Sequence, residues 1–238
     1  MYFSWVLLVL IFASSLPVIA IYIWFRIAKF KFSIVWFLFA LLAGAAAFFP
    51  ALVLQDLLSF PVFSQARTAL FYEFFIRIAF TEELSRLLIL FIFFLIGAIF
   101  NPSEGLNRPL TPDIVNKGTA TGLIAGLGFA ILENARLAAA GIDINITLVR
   151  IFTTALHGAC GARIGAAAVM FPSNPIRAIM RVFAATAIHG VYNFMVVRTG
   201  LSSLAAYLIA ITALITSILP IRGGFSTALA IDNAAEKE

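Results

Sequence analysis

Phe80-Thr81-Glu82-Glu83-Leu84-Ser85-Arg86 stands at the head of an uncharged apolar run, Leu87 to Phe100. Ionisable groups at the edge of hydrocarbon are costly, and in a membrane chain they are functional candidates by default. On a helix, Glu82 and Arg86 are four residues apart and share a face. Glu83 points about a quarter-turn away, so the expected arrangement pairs Glu82 with Arg86 and leaves Glu83 free. An ordinary ion pair at a solvated helix start would carry the same residues, and the rest of the chain has to decide between the two.

Composition places that stretch in a bilayer. Of 238 residues, 63% are hydrophobic and 11% charged, with a mean hydropathy of +1.06. Soluble domains carry about 25% charge, so the chain is read as an integral membrane protein. Its net charge of +5 is scattered through the loops, which points to membrane orientation and lipid contact and not to nucleic acid. The single cysteine, Cys160, rules out an internal disulfide. Met1-Tyr2-Phe3-Ser4-Trp5 has no charged leader and is read as the start of a spanning helix.

A membrane helix needs roughly 20 apolar residues. Seven spans follow, at about 4–25, 33–54, 80–100, 118–140, 146–171, 178–198 and 203–220. The mixed segment 55–79 holds Asp56, Arg67, Glu73 and Arg77 among aromatics and is predicted to be an interfacial helix running into the third span. The fold class is thus an all-α polytopic membrane helix bundle. It forms one transmembrane domain over 1–220, with its functional core at about 80–198 and a polar C-terminal tail over 221–238.

Loop charges set the expected orientation in the cell membrane. Arg26, Lys29, Lys31, Arg108, Lys117, Arg177, Arg181, Arg222 and Lys237 fall on one side. Arg67 and Arg198 fall on the other, with Arg77, Arg136 and Arg150 near helix ends there. The bias predicts the N-terminus outside and the C-terminus in the cytoplasm. Gly118, Gly122 and Gly126 in the fourth span, and Gly161 and Gly165 in the fifth, are spaced for close packing of helix backbones in lipid.

Three further polar sets lie inside spans: Glu133-Asn134, His157, and His189 with Asn193 one turn on. A lone histidine on an apolar face is usually a satisfied core residue. Both histidines of the chain lie within spans, and with three glutamates and two asparagines on four helices they are hard to call incidental. With ~1.5 Å rise per residue, Glu133 sits ~10 Å, His157 ~16 Å, His189 ~14 Å and Asn193 ~8 Å below the outer end of its span, beside Glu82 and Glu83 at the outer start of theirs. One shared site opening to the extracytoplasmic side is expected. A carboxylate in low dielectric can take a proton from water, and a histidine and an asparagine one turn apart can donate to a developing oxyanion. This chemistry suits hydrolysis of an amide. No His-Glu-x-x-His motif is present, and Asp56, Asp113, Asp143 and Asp232 all fall in loops or the tail, which excludes a two-aspartate site.

Glu82-Glu83-x-x-Arg86, Phe129-Ala130-x-x-Glu133-Asn134, His157-x-x-x-Gly161 and His189-x-x-x-Asn193, in this order on successive helices, resemble the PrsW family of intramembrane proteases. That family is related to the CAAX prenyl endopeptidases and the ABI group. The resemblance covers about 80–195. It implies an all-α membrane protease acting on a membrane-anchored protein, for PrsW itself a single-pass anti-sigma factor. By residue, it implies that Glu82 and Glu83 activate water and that His189 and Asn193 steady the oxyanion. Glu133 and His157 join the catalytic set, with Arg86, Phe129 and Asn134 in support. Glu133 replaces the histidine of the prenyl endopeptidases, and Arg86 a common lysine. The cofactor is either none or zinc, with Glu83, Glu133, His157 and His189 as ligand candidates; the sequence spacing favours a metal-free site. The rival is a transporter or proton relay, since buried Glu, His and Arg mark those too. A relay needs polar groups at both depths, and the inner half offers mainly Arg163, Ser173 and Asn174.

Overall fold

The structure, a computed structural model, describes the chain apart from residues 1–4, 29, 31, 60–64, 101–109, 140–146, 198–200 and 236–238. Lys29, Lys31, Arg108, Arg198, Lys237 and the 141–145 loop lie outside the described residues. Every regular element among the described residues is helical: α1 Trp5–Ile27, α2 Ile34–Leu57, α3 Ala66–Phe71, α4 Thr81–Phe100, α5 Pro112–Ala139, α6 Thr147–Met170, α7 Pro175–Val196 and α8 Leu201–Ala235. A π-helical stretch, Tyr72–Phe80, joins α3 to α4 without a break.

Seven long helices thus fall where the sequence puts seven spans. Four contain segments long and apolar enough to cross a membrane: Ile34–Leu57, Pro112–Leu137, Pro175–Val196 and Leu201–Ile221. Of the others, α4 opens on Glu82, Glu83 and Arg86, and α6 carries His157 and Arg163. α5 and α7 remain among the four although they carry Glu133 and His189.

Two ends differ from the sequence reading. α5 begins at Pro112, inside the stretch read as loop. Proline suits the first helical position, the Thr111 hydroxyl accepts from the Ile114 amide at 3.4 Å, and Asp113 complements the helix dipole. α8 continues past Pro220 to Ala235, so residues 221–235 extend the last helix.

α5 and α6 form the centre. α5 also packs on α1, α2 and α8, and α6 on α1, α4, α7 and α8. The glycine stripes explain how closely the central pair fits. A Cβ on Gly122 would collide with the Gly161 carbonyl, one on Gly118 with Gly165, and one on Gly126 with the backbone of His157. Without water to drive helix association, such backbone contact and its dispersion energy hold helices together in lipid. α2 closes on α5 in the same way, Gly44 against Ala125 and Gly128 against Leu41. The outer faces carry large apolar side chains, among them Leu38, Leu42 and Phe49 of α2 and Phe183 of α7, as a bilayer requires.

Candidate active site

Glu82, Glu83 and Arg86 enter the bundle on the first turns of α4, just past the π-helical stretch. There the Thr81 hydroxyl donates to the carbonyls of Arg77 (2.6 Å) and Ile78 (3.0 Å), satisfying groups freed where the wider winding ends. All three charged side chains are buried. Arg86 Nη2 lies 2.9 Å from Glu83 Oε1 and 3.4 Å from Glu82 Oε2. The expected Arg86–Glu82 pair is present, but the expectation that it leaves Glu83 free is corrected. The i, i+3 partner is the closer one, because Arg86 also reaches inward over the Phe129 ring, 4.5 Å from its centroid, toward the His157 carbonyl.

α7 brings His189 against this pair. Its Nδ1 lies 2.8 Å from Glu83 Oε1, and its Nε2 faces Glu82 Oε2 at 3.8 Å. α6 brings His157 from the other side, placed by the Gly126 contact. Its Nε2 lies 2.7 Å from Glu133 Oε2, and its Nδ1 faces Glu82 Oε2 at 4.0 Å. The two imidazoles stand edge to face, with centroids 5.0 Å apart. Each ring therefore donates a proton to a carboxylate behind it and turns its other nitrogen toward Glu82.

Those inner nitrogens decide what the cluster can hold. His157 Nδ1 is buried without a hydrogen-bond partner, and a bare acceptor aimed at a carboxylate calls for a cation between them. One ligand atom each from Glu82, His157 and His189 lie within 4.8 Å of one another. Two imidazoles and one carboxylate make a three-ligand catalytic zinc set with an open position. Carboxylates behind the rings fix tautomer and orientation, as the outer hydrogen-bond partners of metal-binding histidines do. Charge agrees: Glu82, Glu83 and Glu133 against Arg86 and Arg150 leave one net negative charge when both imidazoles are neutral. Metal-binding capacity was invisible in sequence spacing because the three groups come from three helices.

A family model described as PrsW family intramembrane metalloprotease matches residues 33–218. The chain belongs to this family. It is thus a multi-pass membrane protein and an intramembrane endopeptidase, and the PrsW assignment does not favour the transporter reading. Comparison with curated proteins and with solved structures gives no match.

The other PrsW-motif residues fall around the cluster. Phe129 underlies Arg86 and His157. Asn134 is turned aside, its Nδ2 donating to Thr154 Oγ1 at 3.1 Å, which ties α5 to α6. Asn193 is half-buried one turn beyond His189, and its side chain joins none of the hydrogen bonds described above. Two further residues were missed in the sequence. Gln55 Nε2 donates to Glu82 Oε1 at 3.1 Å, and the Gln55 carbonyl accepts from Arg77 Nε at 3.0 Å. Arg150 lies 3.7 Å from Glu133 Oε1. The signal for Gln55 is a polar residue closing an apolar helix; in the sequence Arg150 counts only as an orienting charge near a helix end. Glu133 and Arg150, 20% and 17% exposed, are partly open, whereas Glu82, Glu83, Arg86, His157 and His189 are buried.

Proposed function

We propose that this PrsW-family chain acts as one transmembrane domain that hydrolyses a peptide bond of a membrane-anchored protein near the extracytoplasmic face. Glu82, His157 and His189 would hold a divalent metal, zinc by donor chemistry. The observation that carries this reading is the convergence of both inner imidazole nitrogens on Glu82, each ring held from behind by a carboxylate. Bound there, the metal supplies Lewis acidity toward water and the scissile carbonyl.

The chain's own groups do the rest. Glu83 Oε1 accepts from His189 and Arg86, while Oε2 is buried with no partner. That free oxygen makes Glu83 the candidate to take a proton from water. Glu133 keeps the His157 ring oriented, and Arg150 beside it marks the edge where substrate and water enter. Asn193 is the oxyanion donor in this scheme, its amide left for the substrate carbonyl. Arg86 bridges the two adjacent carboxylates through one nitrogen. A single-pass anti-sigma factor is the substrate class we propose.

Purified protein reconstituted with single-pass substrates tests the reading. We expect near-stoichiometric divalent metal, cleavage lost on chelation and restored by zinc, and metal lost from His157→Ala and His189→Ala. Full activity in metal-free protein sinks the metal assignment. For sidedness, Asp143→Cys should label from outside intact cells and Asn116→Cys should not; the opposite pattern inverts the proposed orientation.

A further inference from the structure

Arg163 lies on α6 about two turns from its C-terminal end, inside the bundle and away from the Glu–His cluster. Its Nη1 donates to the Ala159 carbonyl (2.9 Å), the Ala213 carbonyl (3.3 Å) and Ser217 Oγ (2.6 Å), and its Nη2 to Thr216 Oγ1 (2.9 Å). Every partner is neutral. Two more guanidinium groups stand nearby: Arg177 and Arg181, one turn apart on one face of α7. The charged neighbours of Arg181 are Arg163 and Arg177. Among the described residues, no carboxylate pairs with any of the three.

The three arginines line a cavity of about 470 Å³ between α6 and α7, with Met170 and Met180. Arg163 also forms one end of a second cavity, about 320 Å³, whose walls are Ile188 of α7 and Leu208, Ile209 and Ala213 of α8. A cationic cavity and a mainly apolar groove therefore share Arg163 as a lining residue.

Guanidinium groups gathered at one end of a membrane bundle, with no carboxylate paired to them among the described residues, are placed to take an anion from outside the chain. Arginine forks match phosphate oxygens, and basic pockets between transmembrane helices take anionic headgroups. We propose that the Arg163–Arg177–Arg181 cavity binds the phosphate of an anionic phospholipid, whose acyl chain lies in the groove between α7 and α8. A free phosphate ion would use the cationic chamber but leave the groove unexplained, which is why a lipid fits better. The site is separate from the Glu–His cluster, and the inference does not depend on how that cluster works.

The test uses full-length protein in detergent, with lipid retention read by native mass spectrometry and stability by thermal melting. Phosphatidylglycerol, phosphatidylcholine and inorganic phosphate are added in separate arms. We expect one phosphatidylglycerol retained, a raised Tm with that lipid alone, and no rise with inorganic phosphate at the same concentration. Arg177→Gln with Arg181→Gln should weaken phosphatidylglycerol binding by about 25-fold, about fivefold per charge removed, and the paired lysine variant should keep most of it. If the double variant does not fold, Arg177→Gln alone, at an exposed position, should show the fivefold loss. Equal retention of the two lipids, or unchanged affinity in the glutamine variants, overturns the site. Inorganic phosphate protecting as well as phosphatidylglycerol overturns the lipid assignment.

Discussion

Helix α6 carries both His157 and Arg163 through the bundle, and their surroundings are opposites. His157 meets Glu133 at 2.7 Å and faces Glu82, inside a cluster where carboxylates, imidazoles and guanidinium groups answer one another. Arg163, further along the same helix, meets only hydroxyls and carbonyls and two other cations. Both regions persist in a low-dielectric setting, but by different routes. The first is balanced to within one charge and left with bare nitrogens converging on a point, an arrangement built for a cation and for chemistry. The second is left positive and open, an arrangement that takes its counter-charge from outside. Buried charge alone therefore does not identify an active site in a membrane protein. What separates the two regions is whether the internal charges are arranged around a position where a reacting group can sit.

The comparison is broken most directly at the acidic pair. Glu82→Gln and Glu83→Gln keep shape but remove a proton acceptor or a ligand. At least one should lose ~10²–10⁴-fold in cleavage of a single-pass substrate while eluting as wild type on gel filtration. Wild-type rates in both would remove the chemical half of the contrast.

Arginine replacements sharpen it. Arg86→Ala leaves two carboxylates uncompensated beside hydrocarbon and should destabilise the protein by ~3–5 kcal/mol, with Arg86→Lys recovering part. Arg163→Gln strands no carboxylate, so its cost should stay near ~1 kcal/mol. Thermal melts of the three variants check this, and equal losses at the two arginines would erase the distinction.

Smaller effects are expected at the rim. Asn193→Ala should slow cleavage by ~10²–10³-fold at unchanged metal content if its amide serves the oxyanion; an unchanged rate would remove it from the site. Glu133→Gln should weaken metal affinity by ~10–100-fold, the usual cost of losing a carboxylate behind a ligating histidine, as measured by competition with a chelator. Gln55→Ala deletes one hydrogen bond to Glu82 and should cost only ~0.5–1.5 kcal/mol. A larger loss there would mean that α2 holds the acidic pair more firmly than the single 3.1 Å contact suggests.

Much of this was legible in the sequence because lipid imposes a simple rule. A spanning segment must satisfy its own backbone hydrogen bonds and show apolar side chains outward, so hydropathy places the helices and every polar residue within them stands out. Glu82, Glu83, Arg86, Glu133, His157 and His189 were found in that way, and the structure brings them to one place. The spacing of Gly118, Gly122 and Gly126 foretold a close helix contact, because only the absence of a side chain permits it. Gln55 and Arg150 were missed because they lie at helix ends, where polar residues are ordinary.

The sequence by itself determined the helices, their order, and the set of groups that needed partners, since these depend on residue type and on a periodicity local to each segment. Only the tertiary structure decided the pairing: that Arg86 sits closer to Glu83 than to Glu82, that each histidine is backed by its own carboxylate, and that Glu82 is the one both inner nitrogens face. Those choices depend on the rotation of each helix about its axis and on how near α5 lets α6 approach. Both follow from packing between residues far apart in the chain, which no local pattern encodes.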